Sequence, residues 1–185
     1  MRAKLMGVLG ILGLAAGGMP IGSAIAETQT VAVAKFDYTD TSGEIRDQAA
    51  EHAARLKAFR SRLETGLAAD GSYVPISLGC IEEDACSLGT LRPELMLRRA
   101  REAGADYLVV GEVHKMSTLV GFGRVDVLDV GADRIVFDRV ISFRGDTDDA
   151  FDRAADFVVK DILRTLAEPA AQNAEADKDG GRGLR

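Results

Sequence analysis

An α/β (α+β) domain with a mixed five-stranded sheet and three helices is the fold this sequence predicts, and three observations carry it. Two nearly continuous apolar runs, "TVAVAKF" (Thr30–Phe36) and "ADYLVVGEVHKM" (Ala105–Met116), have the pattern of strands buried on both faces. Segments with apolar residues at steps of three and four separate the early strands or close the domain. Two later runs, "GRVDVLDV" and "RIVFDRVISF", flank the turn "GAD" and read as an antiparallel hairpin of Val125–Val130 with Ile135–Phe143.

Taken in order, "TVAVAKF" is the first strand. From Ile45 the period becomes helical, with Ile45, Ala49, His52, Leu56, Phe59, Leu63 and Leu67 on one face, ending near Asp70-Gly71 where glycine can take a left-handed cap. "YVPISL" (Tyr73–Leu78) is a short second strand, placed at a sheet edge by Pro75. Pro93 opens a second helix that runs toward Gly104, and its "RRARE" stretch is a solvated face. The last helix buries Phe151, Ala154, Ala155, Val158, Ile162 and Leu166, with Asp146, Asp148 and Asp149 near its positive end. The elements therefore run β-α-β-α-β-β-β-α. With strands numbered in chain order, right-handed crossovers predict the arrangement 2-1-3-4-5.

The domain occupies residues 27–168. Before it, Arg2 and Lys4 precede an apolar stretch broken by several glycines, and Ala24-Ile25-Ala26 supplies small residues for cleavage after Ala26. A signal peptide over residues 1–26, and hence a periplasmic location, is expected; an amino-terminal anchor is the alternative. No cysteine near the cleavage point offers a lipid attachment. After Pro169 the sequence becomes polar and glycine-rich, so residues 169–185 are expected to form a disordered tail. Losing Arg2 and Lys4 leaves 21 basic against 29 acidic residues, a net charge of −8. That balance argues against nucleic acid and anionic membrane surfaces as partners.

Cys80 and Cys86 are the two cysteines. In an oxidising compartment they form a local disulfide pair; a reactive dithiol or half a metal site are the other readings, and the spacing lacks the C-x-x-C of either. The stretch "FDYTDTSGE" (Phe36–Glu44) carries the densest polar chemistry. It fits neither a calcium loop nor a P-loop. Thr41 and Glu44 have capping-box spacing and would start the first helix. The loop nonetheless lies beyond the carboxyl end of the central strand, where open α/β sheets place ligands, so Asp37, Asp40 and Ser42 are the candidate ligand-binding residues. His52 and His114 are read as packing or surface residues. "GFGR" (Gly121–Arg124) is read as a flexible hairpin start rather than a nucleotide loop. No catalytic residue, metal ligand or cofactor is assigned.

"VAVAKFDYTDTSGEIRDQAAEHAARL", "GADYLVVGEVHKMS" and "SFRGDTDDAFDRAADFVVKDIL" together resemble a family of secreted alphaproteobacterial proteins with a domain of unknown function. More distantly, strand–"FDYTDTSG"–helix followed by "GADYLVVGEV" is similar to the amino-terminal α/β domain of the periplasmic Tol-Pal component and of curli-secretion lipoproteins. That resemblance implies protein contacts in the cell envelope. This chain lacks the β-propeller of the first and the lipidated cysteine of the second. The function expected is thus an exported, non-catalytic domain that binds a protein or small ligand. An exported enzyme, or a metal- or ligand-binding protein using Asp37–Glu44, is the alternative. The strand Ile135–Phe143 is the expected edge for a protein partner or for self-association.

Overall fold

The central apolar run does not remain one strand. The computed structural model describes residues 28–69, 71–81 and 85–180, with side chains to residue 167. In it β1 (Gln29–Val33) stops short and β2 (Asp37–Asp40) resumes, both lying parallel to β4 (Tyr107–Lys115). Val33 is level with Val109, and Asp37 with Glu112, so four steps on one side match three on the other. One extra residue is a β-bulge, and it reverses which side chains face which side. Val31 and Val33 point into the larger core before the bulge; Phe36 and Tyr38 point into it afterwards.

The remaining elements are α1 (Ala49–Ala68), β3 (Tyr73–Ile76), α2 (Pro93–Glu102), β5 (Val120–Asp129), β6 (Arg134–Arg144) and α3 (Asp148–Gly180). The sheet order is β3-β1-β4-β5-β6, with β2 paired to β4. The arrangement expected from sequence is present, with the bulge supplying a sixth strand. β5 and β6 are antiparallel to their neighbours, which makes the sheet mixed.

Helices cover the two sheet faces unequally. α1 and α3 bury Phe59, Leu63, Leu67, Val158 and Ile162 against Val33, Val109, Val125 and Val127. Each such large side chain contributes about 1.5–3 kcal/mol of burial. On the opposite face α2 places Met96, Leu97 and Ala100 against Ala32, Ala34, Leu108 and Val110, joined by Leu78 and Cys86. Cys80 and Cys86 are bonded, with their Cα atoms 5.4 Å apart. Among the described residues no helix is long and apolar enough to cross a membrane.

Four sequence expectations change. α1 begins at Ala49 rather than Ile45, and Ile45 is fully exposed, because the residues before it are held by the sheet. "GFGR" is strand: a Cβ on Gly121 would meet the Phe143 ring at 2.6 Å, and one on Gly123 would meet Ile141 at 3.0 Å, so these glycines admit β6 side chains to the core. Alternation along "RIVFDRVISF" predicts Ile135 on one face with Phe137, Ile141 and Phe143, but Ile135 is exposed, since the β5–β6 register shifts at Val127/Leu128. α3 continues as helical backbone to Gly180, past Pro169, where the last helix was expected to end. The leader at 1–26 and the final residues 181–185 lie outside the described residues.

Candidate functional site

Lys115 ends the inward-facing series Val109, Gly111, Val113 on β4 and is only 3% exposed. A lysine so placed must be matched by acceptors. Four residues from three other regions supply them. Its Nζ lies 3.5 Å from Asp40 Oδ2 on β2, 3.0 Å from Gln48 Oε1 before α1, and 3.1 Å from Asp146 Oδ2 before α3. Glu44 pairs with it as well. Burial alone disfavours the ammonium, yet the bonds to Glu44 and Asp146 and the field of Asp40 hold its pKa above the ordinary lysine value.

Asp146 is the second hub. Its Oδ2 also accepts from His52 Nε2 at 2.8 Å, a contact that requires the ring proton on Nε2. Its Oδ1 accepts from Arg55 Nη1 at 2.9 Å. Burial pushes this carboxyl up, but the His52 and Lys115 bonds and the Arg55 charge prevail and hold it below the usual aspartate range. Tyr38 stacks on His52, with ring centroids 4.2 Å apart. Its hydroxyl is buried without a hydrogen-bond partner among the described residues, and burial together with Asp146 pushes its pKa up.

The loop Phe36–Glu44 is thus anchored along its length, in a manner unlike a helix start. Thr41 Oγ1 lies 2.7 Å from His114 Nε2, and Thr41 N donates to the Lys115 carbonyl at 2.9 Å. Glu44 faces Lys115 instead of the Thr41 backbone, so the capping box does not form, and Gln48 precedes α1 without a side-chain cap. Of the three candidate binding residues, Asp40 joins the Lys115 cluster. Asp37 points to the other face and accepts from Gly89 N at 2.7 Å, tying β2 to the segment after the disulfide. A Cβ on Gly89 would lie 2.8 Å from Asp37 Oδ1, so this contact needs glycine. Ser42 N donates to Asp40 Oδ1 at 2.8 Å, which shapes the turn; the Ser42 side chain first and that backbone bond second hold the Asp40 carboxyl below its usual range.

Lys115, His52, Arg55, Tyr38 and Asp146 were not singled out for a site from sequence. The one available signal was a lysine where β4 should still be apolar. Bringing it to Asp40, Glu44 and Asp146 depends on contacts 75, 71 and 31 residues apart along the chain, and no sequence period encodes them.

A cavity of about 1030 Å³ opens beside this cluster. Lys35–Tyr38 and Asp40 form one wall, while Ala49, His52, Ala53, Leu56, Lys57 and Arg60 on α1 form the other. A second groove of about 530 Å³ lies between β6 and α3, lined by Val140, Ser142, Arg144, Arg153 and Phe157 among others. Among the described residues no group of three His, Cys, Asp or Glu side chains is arranged to hold a metal ion.

The family model described as "Protein of unknown function (DUF2380)" matches residues 29–163. No curated protein matches significantly. Among solved structures, TolB from Acinetobacter baumannii is similar at 14% identity and TM-score 0.49 over 76% of this chain. This chain covers 28% of TolB, less than a third of that protein's length. The PelC dodecamer from Paraburkholderia phytofirmans is similar at 15% identity and TM-score 0.46, covering 75% of this chain and 86% of that one. The C-terminal domain of LpoB from Salmonella enterica gives 13%, 0.40, 65% and 85% for the same quantities.

Proposed function

The chain belongs to the DUF3280 family, described as protein of unknown function (DUF2380), and we propose that it is an exported, non-catalytic domain of the cell envelope that binds a protein partner along β6. The observation that carries this reading is an open edge beside an unneutralised basic groove. β6 is eleven residues long and terminal in the sheet. Gly145 N donates to the Leu119 carbonyl, so by alternation Val140, Ser142 and Arg144 direct their backbone groups to the open side. Val140 is 64% and Phe157 55% exposed at this groove. Arg144 and Arg153 line it, and neither has an ion pair among the described residues.

Those features suit an extended partner segment that adds a strand, sets apolar side chains over Val140 on one face of the sheet and Phe157 on the other, and presents acids to the two arginines. A second copy suits them less. Pairing β6 with itself about Arg139 places Arg134 opposite Arg144 and sets like charges against each other. Non-catalytic binding is supported by the state of the titratable cluster, in which Lys115, His52 and Arg55 are each bonded to carboxylates across β2, β4, α1 and the start of α3.

Crosslinked capture of the mature protein from periplasm, beside an Arg144→Glu/Arg153→Glu variant, tests the reading. A discrete partner that protects residues 140–144 from hydrogen exchange and is lost with the variant is the expected result. Identical capture by both proteins, or a dimer alone in sedimentation, would overturn it. Mass spectrometry of the exported protein should find Glu27 at the amino terminus.

A further inference from the structure

The bulge that splits the central strand also opens a second edge inside the sheet. β3 pairs with β1 over Gln29–Ala32 and goes no further, while β2 lies alongside the second half of β4. Among the described residues β2 therefore has a strand on one side only. Thr41 N donates to the Lys115 carbonyl, so the odd-numbered residues of this segment face β4. Tyr38 and Asp40 direct their backbone groups the other way, along the cavity of about 1030 Å³.

The cavity has a direction. Tyr38 stacks on His52, and Phe36 packs edge-on against Phe59 at 5.1 Å, so α1 runs antiparallel to the Lys35–Asp40 segment. Lys35, Lys57 and Arg60 consequently gather at one end. Asp40, Glu44 and Asp47 gather at the other, where the cation Arg46 is paired with Glu51. The acids are not exhausted by Lys115, because the Asp40 and Glu44 side chains remain 32% and 28% exposed. Lys57 has no charged partner among the described residues. Between the ends lie Ala49, Ala53 and Leu56. With Asp37 turned to Gly89, the lining sets Lys35, Arg46, Lys57 and Arg60 beside Asp40, Glu44 and Asp47, a near balance that suits an uncharged or zwitterionic occupant rather than an ion of one sign.

We propose that this cavity binds a short peptide with free termini, extended and antiparallel to β2, its ammonium among Asp40, Glu44 and Asp47 and its carboxylate toward Lys57 and Arg60. Backbone groups of Tyr38 and Asp40 supply ladder bonds, and the small residues of α1 accommodate side chains on one side. A segment as long as Lys35–Asp40 spans roughly 17–20 Å, enough for about four or five ligand residues. The occupant is separate from the strand proposed at β6, where acids rather than a zwitterion are selected.

The probe is the tetrapeptide Val-Ala-Val-Ala with both termini free, beside the same peptide acetylated and amidated, followed by amide chemical shifts and calorimetry on the mature protein. The free peptide should shift Phe36–Asp40 and Ala49–Lys57, and capping both ends should weaken it about tenfold or more. Ala53→Arg changes an exposed residue that lines the cavity, so it should abolish binding while the melting temperature holds. Lys57→Glu should erase the preference for a free carboxylate. Arg144→Glu/Arg153→Glu should bind the tetrapeptide as the wild type does, which separates this site from the β6 edge. Equal binding of free and capped peptides, shifts confined to other regions, or no binding at millimolar peptide would overturn the proposal.

Discussion

Asp146 and Asp156 perform the same formal task, each accepting from an arginine of α1, yet they sit in different media. Asp146 is 14% exposed and shares its two oxygens among Arg55, His52 and the buried Lys115. Asp156 and its partner Arg62 are 49% and 44% exposed, and Arg62 forks onto Asp156 with bonds of 2.7 and 2.9 Å while also reaching Asp152 at 3.4 Å. By distance the outer set is the equal of the inner one. The difference lies in what replaces a lost partner: water for Asp156, and no solvent for Lys115. Bond length is thus a poor guide to which charges hold α1 and α3 in place, and burial is the better one.

The largest break in this comparison should come from Lys115→Met. Without its ammonium, Asp40 and Glu44 face each other around an apolar chain, and unfolding in urea should show a loss of about 3 kcal/mol. Asp146→Asn keeps the shape and removes the charge that His52, Lys115 and Arg55 share, for a loss of about 2 kcal/mol by the same measurement. Thr41→Val removes the His114 contact while leaving the Thr41 backbone bond to Lys115, and should lose about 1 kcal/mol. Arg62→Gln should leave the melting temperature within error of wild type. A loss for Arg62→Gln as large as for Asp146→Asn would defeat the argument from burial.

Titration sharpens the same contrast. The Asp146 carboxyl is held below its ordinary 3.8, so its contribution is present above that value and disappears as pH falls through the lower folded one. Lys115 is held above its ordinary 10.5. Its contribution is complete below 10.5 and is lost as pH rises through the raised folded value. Stability measured against pH should therefore fall at both extremes. Asp146→Asn should flatten the acid side, and Lys115→Met the alkaline side.

What sequence alone determined is the set of elements and their neighbours. Period two in "RIVFDRVISF", period three-to-four in "AAEHAARLKAFRSRLETGLA" and unbroken apolar runs in the central strands follow from local burial, and right-handed crossover then leaves few sheet orders open. Pro93 at the first turn of α2 and the positive φ of Gly71 and Gly104 were legible for the same local reason. Tertiary structure decided the rest. "TVAVAKF" is apolar on both faces, so an inserted residue leaves no break in its pattern, and the bulge between Val33 and Asp37 was invisible. That bulge turns Phe36, Tyr38 and Asp40 toward α1. Once Asp40 faces Lys115, the buried ammonium draws Glu44 away from the helix start and Asp146 to the cluster, because a desolvated charge takes its acceptors from wherever the chain brings them.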